Sequence, residues 1–248
     1  MEIWQIIVLA LVGIMAGWLN VMAGGGSLLT VPIMLFMGIP APVANGTNRI
    51  AILAQNITAV TTFRNRGFSD FKLSLSLAAA AAVGALGGAS VGVHLDGEWF
   101  DRVLALVMVA VLILMASGHD KIKPVGGDAQ PKNLLLGHVL MVGAGFWGGF
   151  IQIGVGFILM PILHRVMGLD LVRVNMHKVF VVLVFTIVAL AVFASQLELL
   201  WWTGAALAVG NSIGGWLGAH TTVRHGETLI RRVLYVALTA FIVKLLFF

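Results

Sequence analysis

Residues 20–32 read NVMAGGGSLLTVP, three successive glycines and a proline inside a stretch otherwise apolar enough to cross a membrane. A segment in lipid has to satisfy its own backbone hydrogen bonds. Glycine and proline are the residues least able to hold the helix that does so. The stretch therefore predicts a helix that is meant to break. Gly24, Gly25 and Gly26 end one helix, Gly25 supplying the freedom for positive φ, and Ser27 is expected to cap the next. The first N–H groups of that second helix have no intrahelical partner. Together with the positive end of the helix dipole they make a place for an anion. Asn20, just before the break, is counted with this site. The competing reading is that the glycines only let helices pack closely; a second copy of the break decides against it.

The composition fixes the class. Of 248 residues, 60% are hydrophobic and 10% charged, and mean hydropathy is +1.03. Soluble domains carry roughly 25% charged residues, so this chain reads as an all-α polytopic membrane protein with the lipid bilayer as its surroundings. Its apolar runs are continuous rather than alternating, which excludes a β-barrel. The net charge of +5 sits in short loops and speaks of membrane orientation, not of nucleic acid. Cysteine is absent, so disulfides and thiolate metal sites are excluded. The start, MEIWQIIVLA, has no basic region ahead of its apolar run, and no cleaved signal peptide is expected.

Ten apolar segments are legible, near 3–23, 27–37, 44–63, 72–94 and 99–117, then 134–152, 156–167, 174–195, 199–220 and 228–247. The polar stretch SGHDKIKPVGGDAQPKN (117–133) divides them into a first repeat (1–117), a linker (118–133) and a second repeat (134–248). The halves echo one another. AVGALGGASVGVH (82–94) and AVGNSIGGWLGAH (208–220) share Ala, Val, three glycines and the final His. GEWFDRVL (97–104) resembles GETLIRRVL (226–234), and GGGSLLTVP (24–32) faces IGVGFILMP (153–161). Three matches in one order point to an internal duplication, a common transporter architecture.

Five segments per repeat is an odd number, so the second repeat is expected to lie inverted relative to the first. Loop charges agree. With the linker in the cytoplasm, eleven Lys and Arg side chains fall inside and two, Arg102 and Lys244, outside, in keeping with the positive-inside rule. Both termini are then periplasmic. The segments 27–37 and 156–167 are about half of a spanning length. Each is expected to be half of a Gly-rich broken helix or one arm of a re-entrant hairpin, and Pro32 and Pro161 loosen their hydrogen-bond ladders.

A second constellation follows each short segment. VANGTNRIAILAQN (43–56) aligns with RVNMHKVFVVLVFT (173–186), pairing Asn45 with Asn175, Thr47 with His177 and Asn48 with Lys178, with Arg49 one place on. Polar and cationic groups inside apolar segments are costly and usually functional. Arg, Lys and hydrogen-bond donors suit a small oxyanion. The expected substrate site thus comprises Asn20, Gly24, Gly25, Gly26, Ser27, Thr47, Asn48, Arg49, Gln152, Gly154, Gly156, Asn175, His177 and Lys178. Against this stands the reading that Arg49 and Lys178 snorkel to an interface. Interhelical hydrogen bonding explains Gln55, Asn56 and Gln152 equally well. The tandem GxxxG runs at 84, 88, 92 and at 210, 214, 218 read as close helix packing. No HExxH, paired acids or βαβ glycine motif is present, so no metal, no cofactor and no enzyme is expected. A serine hydrolase built on Ser27 lacks the Gly that a nucleophile elbow requires after the serine.

Across AGWLNVMAGGGSLLTVPIMLFMGIPAPVANGTN (16–48) the chain closely resembles the TauE/SafE family of sulfite-exporter-like permeases, and the likeness extends over both repeats and the basic mid-chain loop. It points to Gly24, Gly25, Gly26, Pro32, Gly46, Thr47 and Asn48. In the second repeat Gly154, Gly156, Pro161 and VNMHK replace the family's fuller glycine cluster and Gly-Thr-Ser-like stretch. The resemblance implies a bacterial inner-membrane carrier of sulfite, sulfonates or related anions, most simply an exporter. Alternatives are a passive anion channel, an importer of a related anion, and a membrane enzyme or scaffold. A homodimer is left open.

Overall fold

The computed structural model describes residues 3–94, 99, 102, 106 and 130–247. Among these every regular element is a helix. In chain order the helices are α1 (Ile3–Met22), α2 (Ser27–Phe36), α3 (Ala41–Asn65), α4 (Phe71–Gly92), α5 (Leu134–Phe150), α6 (Val155–Pro161), α7 (Leu171–Gln196) and α8 (Trp201–Phe247). A π-helical turn, Ile162–Val166, prolongs α6 directly after Pro161, where the missing proline N–H relaxes the ladder. The apolar segments at 99–117 and the linker lie almost wholly outside the described residues.

Among the described residues three helices are long and apolar enough to cross a membrane: Trp4–Met22, Phe71–Gly92 and Leu171–Gln196. Their exposed surfaces are apolar, with Trp4, Leu11, Met15, Val83 and Leu86 all more than half exposed. Inside, the pattern reverses. α3 buries Asn45, Thr47, Asn48, Arg49, Gln55 and Asn56, and α7 buries Asn175, His177, Lys178 and Thr186. An apolar exterior around a polar centre is the reverse of a soluble domain, and it fits a protein whose solvent is lipid.

The glycine runs set how the helices cross. A Cβ built on Gly84, Gly88 or Gly92 of α4 would meet the carbonyl oxygens of Val142, Phe146 and Phe150 on α5. Built on Gly210, Gly214 or Gly218 of α8, it would meet those of Ala10, Ile14 and Trp18 on α1. Gly145 and Gly149 return the contact to Ala81 and Ala85, as Gly13 and Gly17 do to Leu207 and Asn211. The same backbone-to-backbone crossing therefore occurs twice, each time between the first helix of one half and the fourth of the other. The packing reading of the GxxxG runs is the one observed.

One boundary differs from the sequence reading. Segments 199–220 and 228–247 form a single helix of 47 residues, about 70 Å long at 1.5 Å per residue. The junction TTVRHGE (221–227) has one glycine and no proline, so its polarity marked a boundary that its backbone does not enforce.

Two measurements follow from this packing. Gly84→Ala is expected to destabilise by about 1–3 kcal/mol, the range for overpacking. Gly143→Ala, where a Cβ meets nothing, is expected to gain about 0.5–1 kcal/mol from helix propensity; detergent melting curves compare the two, and equal shifts would remove the crossing from the account. In a bilayer, the apolar end of α8 (233–247) returns to lipid only by bending near 221–227. From the loop charges, a topology reporter after Phe248 is expected in the periplasm and one within 118–132 in the cytoplasm. A cytoplasmic signal at both sites would mean that α8 stays straight.

Candidate functional site

The predicted break exists, in two copies. α1 ends at Met22 and α2 begins at Ser27; α5 ends at Phe150 and α6 begins at Val155. Gly24 (φ 87°) and Gly154 (φ 71°) hold the left-handed conformation that makes each turn, at little cost for glycine. The two breaks touch: a Cβ on Gly24 would strike the Gly156 backbone and one on Gly156 would strike Gly24.

Two details of the first break correct the sequence reading. Gly24, not Gly25, is the positive-φ residue, and a Cβ on Gly25 meets only the mobile ends of Phe157 and Leu28. Ser27 does not cap α2. The N-cap is Gly26, already in a right-handed helical conformation and with no side-chain cap. The Ser27 Oγ instead accepts from Asn48 Nδ2 at 3.3 Å, while Asn48 Oδ1 accepts from Thr30 Oγ1 at 2.7 Å. The amide of α3 thereby clamps the first turn of α2, and that is what claims the hydroxyl.

The two cations occupy positions that neither sequence reading described. Arg49 is fully buried, donating through Nη1 to Gly148 O at 2.9 Å and through Nη2 to Gly149 O. Its guanidinium lies 4.5 Å from the Phe193 ring centroid, a cation–π contact. Asn45 Nδ2 donates to the next carbonyl, Phe150 O, at 2.8 Å. These carbonyls form the last turn of α5, which has no intrahelical donors left to it. Lys178 does the equivalent work in the other direction. Its Nζ donates to Val21 O, in the last turn of α1, at 2.7 Å and to Asn175 Oδ1 at 2.8 Å. Each cation therefore sits on the third helix of one half and caps the broken helix of the other. The negative ends of two helix dipoles receive them. Neither cation snorkels, since both are enclosed by protein.

The remaining predicted residues disperse around this centre. Gln152, itself at positive φ (65°), donates to Thr186 Oγ1 at 3.1 Å within the second break. Asn175 Nδ2 reaches Thr222 Oγ1 at 3.5 Å. Thr47 accepts from Leu200 N at the head of α8, and Asn20 donates to Gln55 Oε1 at 3.2 Å; both pin helices together rather than engage a cation. His177 points to Ser74 on α4, at 2.8 Å. Gly46 is a packing glycine under Leu199 and Phe193. Thr30, Thr186, Thr222 and Phe193 were missed, because a lone hydroxyl or ring in an apolar helix carries no spacing signal. Several buried polar atoms have no partner among the described residues: Arg49 Nε, His177 Nε2, Asn45 Oδ1 and Gln152 Oε1. Among the described residues no His, Asp and Glu cluster suited to a metal occurs.

An apolar helical shell around a buried, polar, cation-bearing centre defines a membrane protein of the transporter kind. A family model for the sulfite exporter TauE/SafE matches residues 9–245, and the chain belongs to that family. It is 26% identical over 235 residues to a probable membrane transporter protein, ORF9, of Sinorhizobium sp, covering 93% of this chain and 88% of that one. It is 25% identical over 228 residues to a probable membrane transporter protein of Haemophilus influenzae (90% and 88%). The probable membrane transporter protein YfcA of Escherichia coli is also 25% identical, over 249 residues (97% and 89%). No solved structure matches the chain significantly.

The capping role has a direct check. Lys178→Met leaves Val21 O without its donor, and Arg49→Met does the same to Gly148 O and Gly149 O. Each is expected to destabilise by about 1.5–3 kcal/mol, the range for a hydrogen bond to a charged group. Melting temperatures unchanged in both variants would show that the carbonyls find other donors.

Proposed function

We propose that the protein is a secondary transporter of a small sulfur-containing oxyanion, most simply an exporter of sulfite or an organosulfonate across the bacterial inner membrane. One observation carries the anion part: two buried cations, Arg49 and Lys178, stand at the two helix breaks, and among the described residues no carboxylate pairs with either. An uncompensated charge in a low-dielectric interior is expensive. A bound anion would relieve that cost, and helix dipoles with half a charge each relieve it only in part. Arg49 Nε and the Ser27 hydroxyl, which accepts from Asn48 and keeps its own proton, add donors beside the breaks. The sulfur chemistry comes from the family, and the names of the relatives say only that they are probable membrane transporters.

The domain division at 118–133, the inversion of the second repeat and the re-entrant character of its short segment belong to the same proposal. The crossing that occurs twice supports the duplication. The pairing of Lys132 N with Met167 O at 2.9 Å, and of Asn133 Nδ2 with Val166 O at 3.0 Å, supports a hairpin from 134 to 167 that enters and leaves on one side. With the breaks in contact at Gly24 and Gly156, alternating access by movement of one half against the other fits better than an open pore.

The test is a panel of sulfite, sulfate, thiosulfate and small sulfonates on purified protein. At least one sulfur oxyanion is expected to raise the melting temperature, since a ligand at 100 times its Kd adds about 2.7 kcal/mol. The same anion should exchange across liposomes bearing the wild type but not Gly24→Ala, whose methyl would enter the Gly156 backbone. Stabilisation by cations or neutral solutes alone would overturn the anion site.

A further inference from the structure

We infer that Ser74 and His177 form a proton relay, which makes the proposed transport proton-coupled. This rests on the transport reading above and names its coupling ion.

His177 lies on α7, fully enclosed, in a helix whose neighbouring residue Lys178 is turned the other way, toward α1. One ring nitrogen, Nδ1, meets Ser74 Oγ at 2.8 Å. The other, Nε2, is buried and has no partner. A purely structural imidazole would have both nitrogens engaged, because an unpaired buried polar atom costs about 1–3 kcal/mol. Histidine with one nitrogen on a relay and one free can take a proton at the first and release it from the second.

Ser74 supplies the way in. It lines a cavity of about 20 Å³ between α3, α4 and α7, with Arg64, Asp70, Phe71, Met176 and Phe180 also on its wall. That volume admits a water molecule. The charged groups facing His177 sit at the mouth of this cavity. Asp70, which caps α4, and Arg173 on α7 form a part-exposed ion pair at 3.6 Å, and Arg64 comes from α3. On α8, Ala219 packs near Met176, and the next residue, His220, is engaged by Arg66 at 2.7 Å. None of these contacts Nε2, so among the described residues Ser74 is the group that links the imidazole to the mouth.

The transfer balances without any further reagent. An excess proton carried by water in the cavity moves to Ser74 Oγ as the Ser74 hydroxyl proton moves to His177 Nδ1, leaving neutral water and an imidazolium protonated on both nitrogens. When the halves reorient, the Nε2 proton leaves to water on the other side, a half-turn of the ring restores the starting tautomer, and the net movement is one proton per cycle. No acidic side chain is buried among the described residues, and the other buried imidazole, His164 in the π-helical turn, is tied to Leu169 O at 2.7 Å, so His177 is the titratable carrier beside the two cations.

The experiment uses full-length protein in liposomes with voltage clamped and a sulfonate as probe, because a sulfonate keeps its charge between pH 6 and 8 whereas sulfite does not. With one proton coupled to each anion, a gradient of one pH unit is expected to sustain up to about tenfold accumulation in the wild type. Ser74→Ala is expected to keep sulfonate exchange at equal pH and to lose the accumulation, and Ser74→Thr to restore it. His177→Gln should likewise show no response to the gradient. Gradient-driven accumulation that survives in Ser74→Ala would overturn the relay, and so would wild-type exchange that ignores the gradient. Absence of any exchange by the wild type, with sulfonate or sulfite, would instead overturn the transport reading and the relay with it.

Discussion

Two helices of this protein end in its interior, and everything else follows from where their last carbonyls go. A helix terminus leaves four carbonyls without intrahelical donors, and at membrane depth there is no bulk water to take them. For α1 the remedy is Lys178, on Val21 O. For α5 it is Arg49 and Asn45, on Gly148, Gly149 and Phe150, with Trp147 Nε1 holding Ile153 O at 3.1 Å just beyond. In both cases the principal donor comes from the opposite half of the chain. The two halves are thereby held together at their centre.

That exchange constrains the packing around it. For Lys178 to reach α1 and Arg49 to reach α5, the first helix of each half must lie deep among the helices of the other. The glycine crossings provide the approach, letting α4 meet α5 and α8 meet α1 backbone to backbone. Without a hydrophobic drive between helices in lipid, such close packing is the main source of association. The duplicated GxxxG runs and the duplicated cations are thus two parts of one arrangement. The first sets the distance and the second uses it.

Much of this was legible in the sequence, and the omissions have physical causes. A glycine triplet and intramembrane amides stand out against an apolar background, so the break at 23–26 and the polar faces of α3 and α7 could be found by composition, and the second break by the alignment of 153–161 with 24–32. Which glycine of three takes positive φ could not, because that depends on Gly156 approaching from another segment. Ser27 carries the residue type of a cap, but its hydroxyl is claimed by Asn48 from 21 positions away. Arg49 and Lys178 were recognisable as costly, whereas their partners are backbone carbonyls, which have no sequence signature at all. The missed hydroxyls of Thr30, Thr186 and Thr222 are invisible for the same reason: a pairing is written in two places, and only the fold says which two.

The carbonyl caps also bear on how an anion could be handled. A cation that serves as a helix cap is not idle, and an anion entering beside Arg49 or Lys178 competes with the carbonyls for the same N–H donors. Guanidinium has five donors and engages two carbonyls here, leaving Nε free, so Arg49 can hold an anion and still cap α5. An ammonium has three donors, and Lys178 has already placed two, on Val21 O and Asn175 Oδ1. Full engagement of an anion by Lys178 would loosen its hold on α1, whereas engagement by Arg49 need not disturb α5. On the transport reading the two halves are therefore alike in fold and unlike in response: the Arg49 side is suited to binding, and the Lys178 side to letting the bound anion change how the halves are joined.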